Sequence, residues 1–240
     1  MRAAARILAV ALAFLATAAG AGAEDTPEAA AQLSRLESAV AAEPDSLQRA
    51  NDYRRAVIQA GAYDRALDFF EKLTADHPQS ANAWLSYGYA YVDKVPAAGA
   101  ISQVILANAS ILRFSKSIEL QRSWLALYTR GNAYLYWPKI FGRAPLAVAD
   151  LEEAVAISRK ETLRPYHVRA FIALGDAYAK TDQPDKARAA WQEGLRLFPN
   201  DPQLAARLSL QGEALDTFLS EQRDPTQRVD TDLSLLWAPS

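Results

Sequence analysis

The sequence predicts an all-α protein in which helix pairs stack side by side into a solenoid. Three observations predict it. Apolar residues recur three and four positions apart, alternating strand patterns are rare, and short stretches built on aromatic, Gly and Tyr residues return along the chain. Half of the 240 residues are hydrophobic and 22% are charged, with only 10 Gly and 12 Pro, so the chain can bury a sizeable core and is neither disordered nor fibrous. The absence of cysteine excludes disulfides, thiolate metal sites and cysteine nucleophiles, and two histidines leave little room for a metal cage. With 26 basic and 28 acidic side chains the formal charge is −2, which offers no field for nucleic acid. No cofactor and no metal are expected.

The first element is an address. Arg2 and Arg6 precede an uncharged apolar run from Ile7 to Ala19, and Ala21, Gly22 and Ala23 supply the small residues that signal peptidase requires before Glu24. Residues 1–23 are therefore expected to be a signal peptide cleaved near Ala23, which predicts a periplasmic or secreted protein. The apolar run is too short and too poorly flanked for a membrane span. Residues 24–46 follow as a flanking segment whose helix, Ala29 to Ala42, stops at Glu43-Pro44-Asp45.

The body of the chain, residues 47–200, repeats itself. Phe171, Leu174, Gly175 and Tyr178 are followed by Ala187, Trp191, Gly194 and Pro199, and Trp84, Tyr87, Gly88 and Tyr91 make the same opening. Leu127, Gly131 and Tyr134 precede Ala147, Leu151 and Ala154, while Ala50, Tyr53 and Val57 precede Ala66, Phe70, Leu73 and Pro78. This pattern resembles the tetratricopeptide repeat (TPR), which implies a right-handed solenoid of about four helix pairs with flanking helices. The repeats fall near 47–80, 81–122, 124–162 and 168–200. Arg54 to Gly88 spans 34 residues, the repeat's own period, whereas Gly88 to Gly131 spans 43 and Gly131 to Gly175 spans 44. The middle repeats therefore carry insertions, expected around 95–99 and 137–145. Arg54 in place of glycine and Arg130 in place of leucine weaken the first and third repeats.

Beyond the repeats, Pro202 to Glu221 is expected to form one capping helix within 201–223, hiding Leu204, Leu208, Leu215 and Leu219. In the tail, 224–240, the cluster Leu233, Leu235, Leu236 and Trp237 is expected to fold back, since exposed it would invite aggregation. The helix from Ile101 to Leu120 has apolar residues on more than one face, which implies burial on two sides or a subunit contact; burial is the expectation, a homo-oligomer the alternative.

Catalysis is not expected. His77 and His167 lack an orienting partner at triad or ligand spacing, Glu152 and Glu153 suit the first half of a helix, and no phosphate-cradling glycine loop exists. Binding is the better reading. The resemblance implies that exposed positions of each repeat's first helix contact a protein or peptide partner. These positions are Gln48, Asn51 and Arg55; Leu85, Tyr89 and Asp93; Tyr128, Asn132 and Tyr136; and Arg169, Ile172, Asp176 and Lys180. The family's carboxylate clamp is not reproduced, because Arg55 and Asp176 stand where asparagines are expected. Trp137 and Phe141, beside Lys139 and Arg143, add aromatic candidates within the insertion. Resemblance implies an assembly or support role for an envelope or periplasmic enzyme complex. The alternative is a small-ligand or transport accessory, favoured if Tyr128, Tyr136, Trp137 and Phe141 enclose a cavity.

Overall fold

The computed structural model describes residues 26–224 and 229–238, so the signal peptide expected over 1–23 lies outside the described residues. Eleven helices, linked by short turns, make up the regular structure of the described residues: α1 Pro27–Ala42, α2 Leu47–Ala60, α3 Tyr63–Asp76, α4 Ala81–Lys94, α5 Ala100–Leu120, α6 Trp124–Tyr134, α7 Ala144–Ser158, α8 Val168–Lys180, α9 Pro184–Leu197, α10 Pro202–Ser209 and α11 Gly212–Gln222. Five starts have a side-chain cap. Thr26, Ser46, Ser80, Ser123 and Asp201 each accept a hydrogen bond from the backbone N–H three residues on, satisfying a donor that the helix itself cannot. Pro184 and Pro202 open their helices, where no backbone donor is needed.

The pairs α2–α3, α4–α5, α6–α7 and α8–α9 stack in order, and the second helix of each pair packs on the first helix of the next. The landmark glycines sit at helix crossings. A Cβ on Gly175 would lie 2.1 Å from the Trp191 indole, one on Gly131 would lie 2.7 Å from Leu151, and one on Gly88 2.3 Å from Phe114. Hydrogen alone lets these helices approach so closely. The first pair has no such glycine. There Tyr53 packs against Phe69 and Phe70 at 5.0 and 5.8 Å between ring centroids, and the rings keep α2 and α3 further apart.

Two apolar clusters share α4: one spans α1 to α4, and the larger runs from α4 to the C-terminal tail. Among the described residues, no helix is long and apolar enough to cross a membrane.

Three expectations need correcting or refining. The single capping helix is two, because Leu210 and Gln211 are both extended and break the helix, and Gly212, with a φ of 54°, opens the next one. The wide stripe of α5 is not buried on two sides: Ile101, Ile105 and Leu112 are 81%, 63% and 63% exposed. With 21 residues against 14 in α4, α5 is about two turns longer than its partner; Ile101 and Ile105 lie in its first turns, and Leu112, further along, points away from the crossing of Gly88 with Phe114. The extra residues of the second repeat are thus shared between the 95–99 turn and this long helix, while those of the third lie in the 135–143 turn and in the link at 159–167.

Gly175→Ala is expected to destabilise the protein by about 1–3 kcal/mol by overpacking against fully buried Trp191, whereas Gly142→Ser, a control at an uncrowded left-handed turn, should cost about 1 kcal/mol or less, from backbone strain alone. Urea unfolding followed by circular dichroism compares the two.

Candidate partner-binding face

The first helices of the four pairs, α2, α4, α6 and α8, contribute to one face, and the C-terminal tail lies along it. The link is electrostatic and largely buried. Arg54 of α2 donates from Nε to Asp93 of α4 at 2.8 Å and from Nη2 to the carbonyl of Thr231 at 2.7 Å. The Thr231 hydroxyl donates to the other Asp93 oxygen at 2.5 Å, and the Arg54 guanidinium lies 4.6 Å above the Tyr89 ring. A guanidinium this deep is tolerable only because a carboxylate, a carbonyl and a ring face replace its water. The glycine-equivalent position of the first repeat is therefore the anchor that joins both ends of the chain.

Asn51 reads the next two tail residues. Its Nδ2 donates to Asp232 at 3.0 Å and its Oδ1 accepts the Leu233 N–H at 3.0 Å. Arg55 stands 3.7 Å from the second Asp232 oxygen, and Arg169 of α8 donates to Asp230 at 3.2 Å. Burial alone would raise the Asp232 pKa, but hydrogen bonds from Ser234 and Asn51, aided by Arg55, hold it down at about 2. Leu233 then enters the larger core, and Leu236 and Trp237 pack against it, so the apolar cluster of the tail folds back as expected.

The remaining candidates are placed differently. Asp176 is buried and ion-paired with Arg207 of α10 at 2.6 Å and with Arg223 at 2.7 Å. The Asn132 side-chain oxygen accepts from Arg223 at 2.6 Å, and Arg223 also lies over the Tyr136 ring at 5.5 Å. Lys180 donates to the Leu135 carbonyl, and burial, with Arg223 nearby, lowers its pKa. Tyr89 is buried, hydrogen-bonded to Thr129 at 2.6 Å, and burial pushes its pKa up to about 12. Leu85 is core, whereas Gln48 is exposed. Of the candidate polar positions, Asn51, Arg55, Asp93 and Arg169 touch the tail, while Asn132 and Asp176 are held by Arg223 just before it. Sequence reasoning missed Arg54, Arg207 and Arg223; only Arg54, a charge at a position meant for glycine, carried a signal.

Beneath the tail lies a cavity of about 350 Å³, walled by α4, α5, α6 and the 139–141 turn and bordered by residues 229–236. Tyr128, Tyr136, Trp137 and Phe141 all line it. Tyr128 stacks on Trp124 at 5.1 Å, Trp137 lies under Arg143 at 3.7 Å, and Phe141 meets Trp137 edge-on at 5.6 Å.

Of the groups considered for catalysis, His77 is exposed at the end of α3, while His167, Glu152 and Glu153 have structural partners. His167 is buried, accepts the Arg164 N–H at Nδ1, and has its pKa lowered by burial. Glu152 accepts from the Tyr178 hydroxyl, and Glu153 pairs with Arg122. Among the described residues, no group of three or more His, Asp or Glu side chains could hold a metal.

A family model described as tetratricopeptide repeat matches residues 168–210, which are α8, α9 and α10. That segment carries a tetratricopeptide repeat. The crystal structure of TTC0263, a thermophilic TPR protein of Thermus thermophilus, is similar with a TM-score of 0.54 and 20% identity, covering 75% of this chain and 89% of that one. The MamA RS-1 ArsTM double mutant is similar with a TM-score of 0.51 and 19% identity over 75% of this chain and 86% of that one. These likenesses show the TPR fold. No curated protein matches the chain. In this architecture the face formed by the first helices is the candidate surface.

Tail docking is expected to be acid-sensitive. Because the docked Asp232 pKa of about 2 lies below its ordinary value near 4, its contribution is fully present above about pH 4 and is lost as pH falls toward 2. Amide exchange at Leu233, measured from pH 7 downwards and corrected for intrinsic rate, should keep its protection to about pH 4 and then lose it, and Asp232→Asn should remove that step.

Proposed function

We propose that this protein is an exported TPR adaptor whose inner face captures a segment of a partner protein. It would serve the assembly or support of an envelope or periplasmic enzyme complex. The supporting observation is the run 230–233, held on this face where Arg54 donates to the Thr231 carbonyl and Asn51 donates to Asp232 and accepts the Leu233 N–H. A surface that satisfies the backbone of one segment offers the same donors and acceptors to another. The leader-like residues 1–23 support the exported location.

The test is affinity capture from periplasmic extract using the full chain and an Arg55→Glu/Arg169→Glu variant, whose changed residues are at the tail-bearing rim. Specific partners should be recovered by the first and depleted at least about tenfold by the second, as expected for reversing steering charges. Equal recovery by both would remove this face as the binding surface.

The cavity favours a second reading, a small-ligand accessory. Its volume suits a compact apolar or aromatic molecule, and aromatic rings supply much of its wall. The fluorescent probe N-phenyl-1-naphthylamine should bind the wild type and be excluded by Ala107→Trp, which fills the space from α5. Absence of uptake by the wild type would discard the reading.

A further inference from the structure

We propose that the tail is an internal stand-in for the partner, and that the face selects a segment with the order acid, hydroxyl, acid, aliphatic. This inference rests on the adaptor reading above and adds the chemistry of what is captured. Along 230–233 the tail presents Asp, Thr, Asp and Leu, and each side chain meets a separate complementary feature. Asp230 meets Arg169, the Thr231 hydroxyl donates to Asp93, and Asp232 meets Asn51 and Arg55. Leu233 is 5% exposed and closes the row by entering the apolar core.

Two kinds of contact are superposed here. The Thr231 carbonyl and the Leu233 N–H, two residues apart, are gripped by Arg54 and Asn51 through backbone groups that every residue but proline carries. The side-chain contacts are selective. Asp93 already carries a negative charge shared with Arg54, so its second oxygen demands a donor and rejects a carboxylate at the Thr231 position. Arg55 and Arg169 sit on either side of this subsite and demand acids at the flanking positions. The aliphatic position is buried, where a charge would be desolvated without a partner.

The geometry also makes the tail a competitor. A segment tethered in cis acts at an effective concentration on the order of 1 mM, so a partner must bind tightly or act when the tail is loosened. Its departure would expose the rim of the cavity, since residues 229–236 form part of that wall.

The experiment uses the full chain, a tail variant Asp232→Ala/Leu233→Ser, and a labelled peptide matching residues 229–238. Fluorescence anisotropy should show the tail variant binding the peptide at least about tenfold more tightly than the wild type, because the tethered competitor is removed. Introducing Arg55→Ala and Arg169→Ala into that variant should reverse the gain, and a peptide with both aspartates changed to alanine should bind at least about tenfold more weakly. If the tail variant does not fold, excess peptide added to the wild type should raise amide exchange at residues 230–233 of the chain itself. Equal binding of the acidic and alanine peptides, or no binding while the tail is demonstrably released, overturns the proposal. So does self-association of the wild type that the tail variant abolishes, which would assign the tail to a second copy. Partners captured in an Arg55- and Arg169-dependent way but not displaced by the peptide would overturn this motif and leave the adaptor reading standing. Peptide selectivity with partner capture indifferent to those arginines would sustain the motif and sink the adaptor reading.

Discussion

The closeness of three helix crossings governs the rest of the architecture. At Gly88, Gly131 and Gly175 the neighbouring ring or branched side chain occupies the space where a Cβ would stand. Each helix is amphipathic and too short to be stable in isolation, so its apolar stripe must be covered by neighbours. With the glycine in place, Phe114, Leu151 and Trp191 become the fully buried or nearly buried pivots of successive pairs. The stacking then presents the first helices together, and a common face follows.

Where that small residue is missing, the fold uses a different solution. Tyr53, Phe69 and Phe70 hold α2 from α3 by ring contacts, and Arg54 turns toward α4 and the tail. A second buried set does comparable work at the other end, where Asp176 accepts from Arg207 and Arg223. Both sets join elements beyond the nearest neighbour in the stack. A carboxylate with defined guanidinium partners tolerates few alternative geometries, which suits a role in registering distant parts of the chain.

The helices were legible because period-3.6 patterning and capping residues are local. Ser46, Ser80 and Ser123 stand at helix starts in the structure, and the glycine landmarks lie at crossings. The split of the capping region was not legible, since Leu208, Leu215 and Leu219 keep helical spacing across a bend made by the extended backbone of Leu210 and Gln211. The candidate face was legible as positions and not as occupancy. Asn51, Arg55, Asp93 and Arg169 could be placed by repeat register, but their partners lie between 61 and 182 residues away in a tail without periodicity. The exposure of α5 was misjudged because a wide apolar stripe shows what a helix could bury, while the placing of its neighbours decides what it does bury.

Simple helical arrays grow by adding one unit to the last, and each unit needs only the one before it. The strap from Thr231 to Arg54 breaks that rule by tying a late segment to an early helix across 177 positions. Its consequence is one of timing. Until residues 230–233 have been synthesised, Arg54 and Asp93 lack the carbonyl and hydroxyl that complete their burial, so the opening repeat must wait for the closing words of the chain. Such distant loop closure slows the final step of folding and makes the finished array yield as a whole rather than fray from one end.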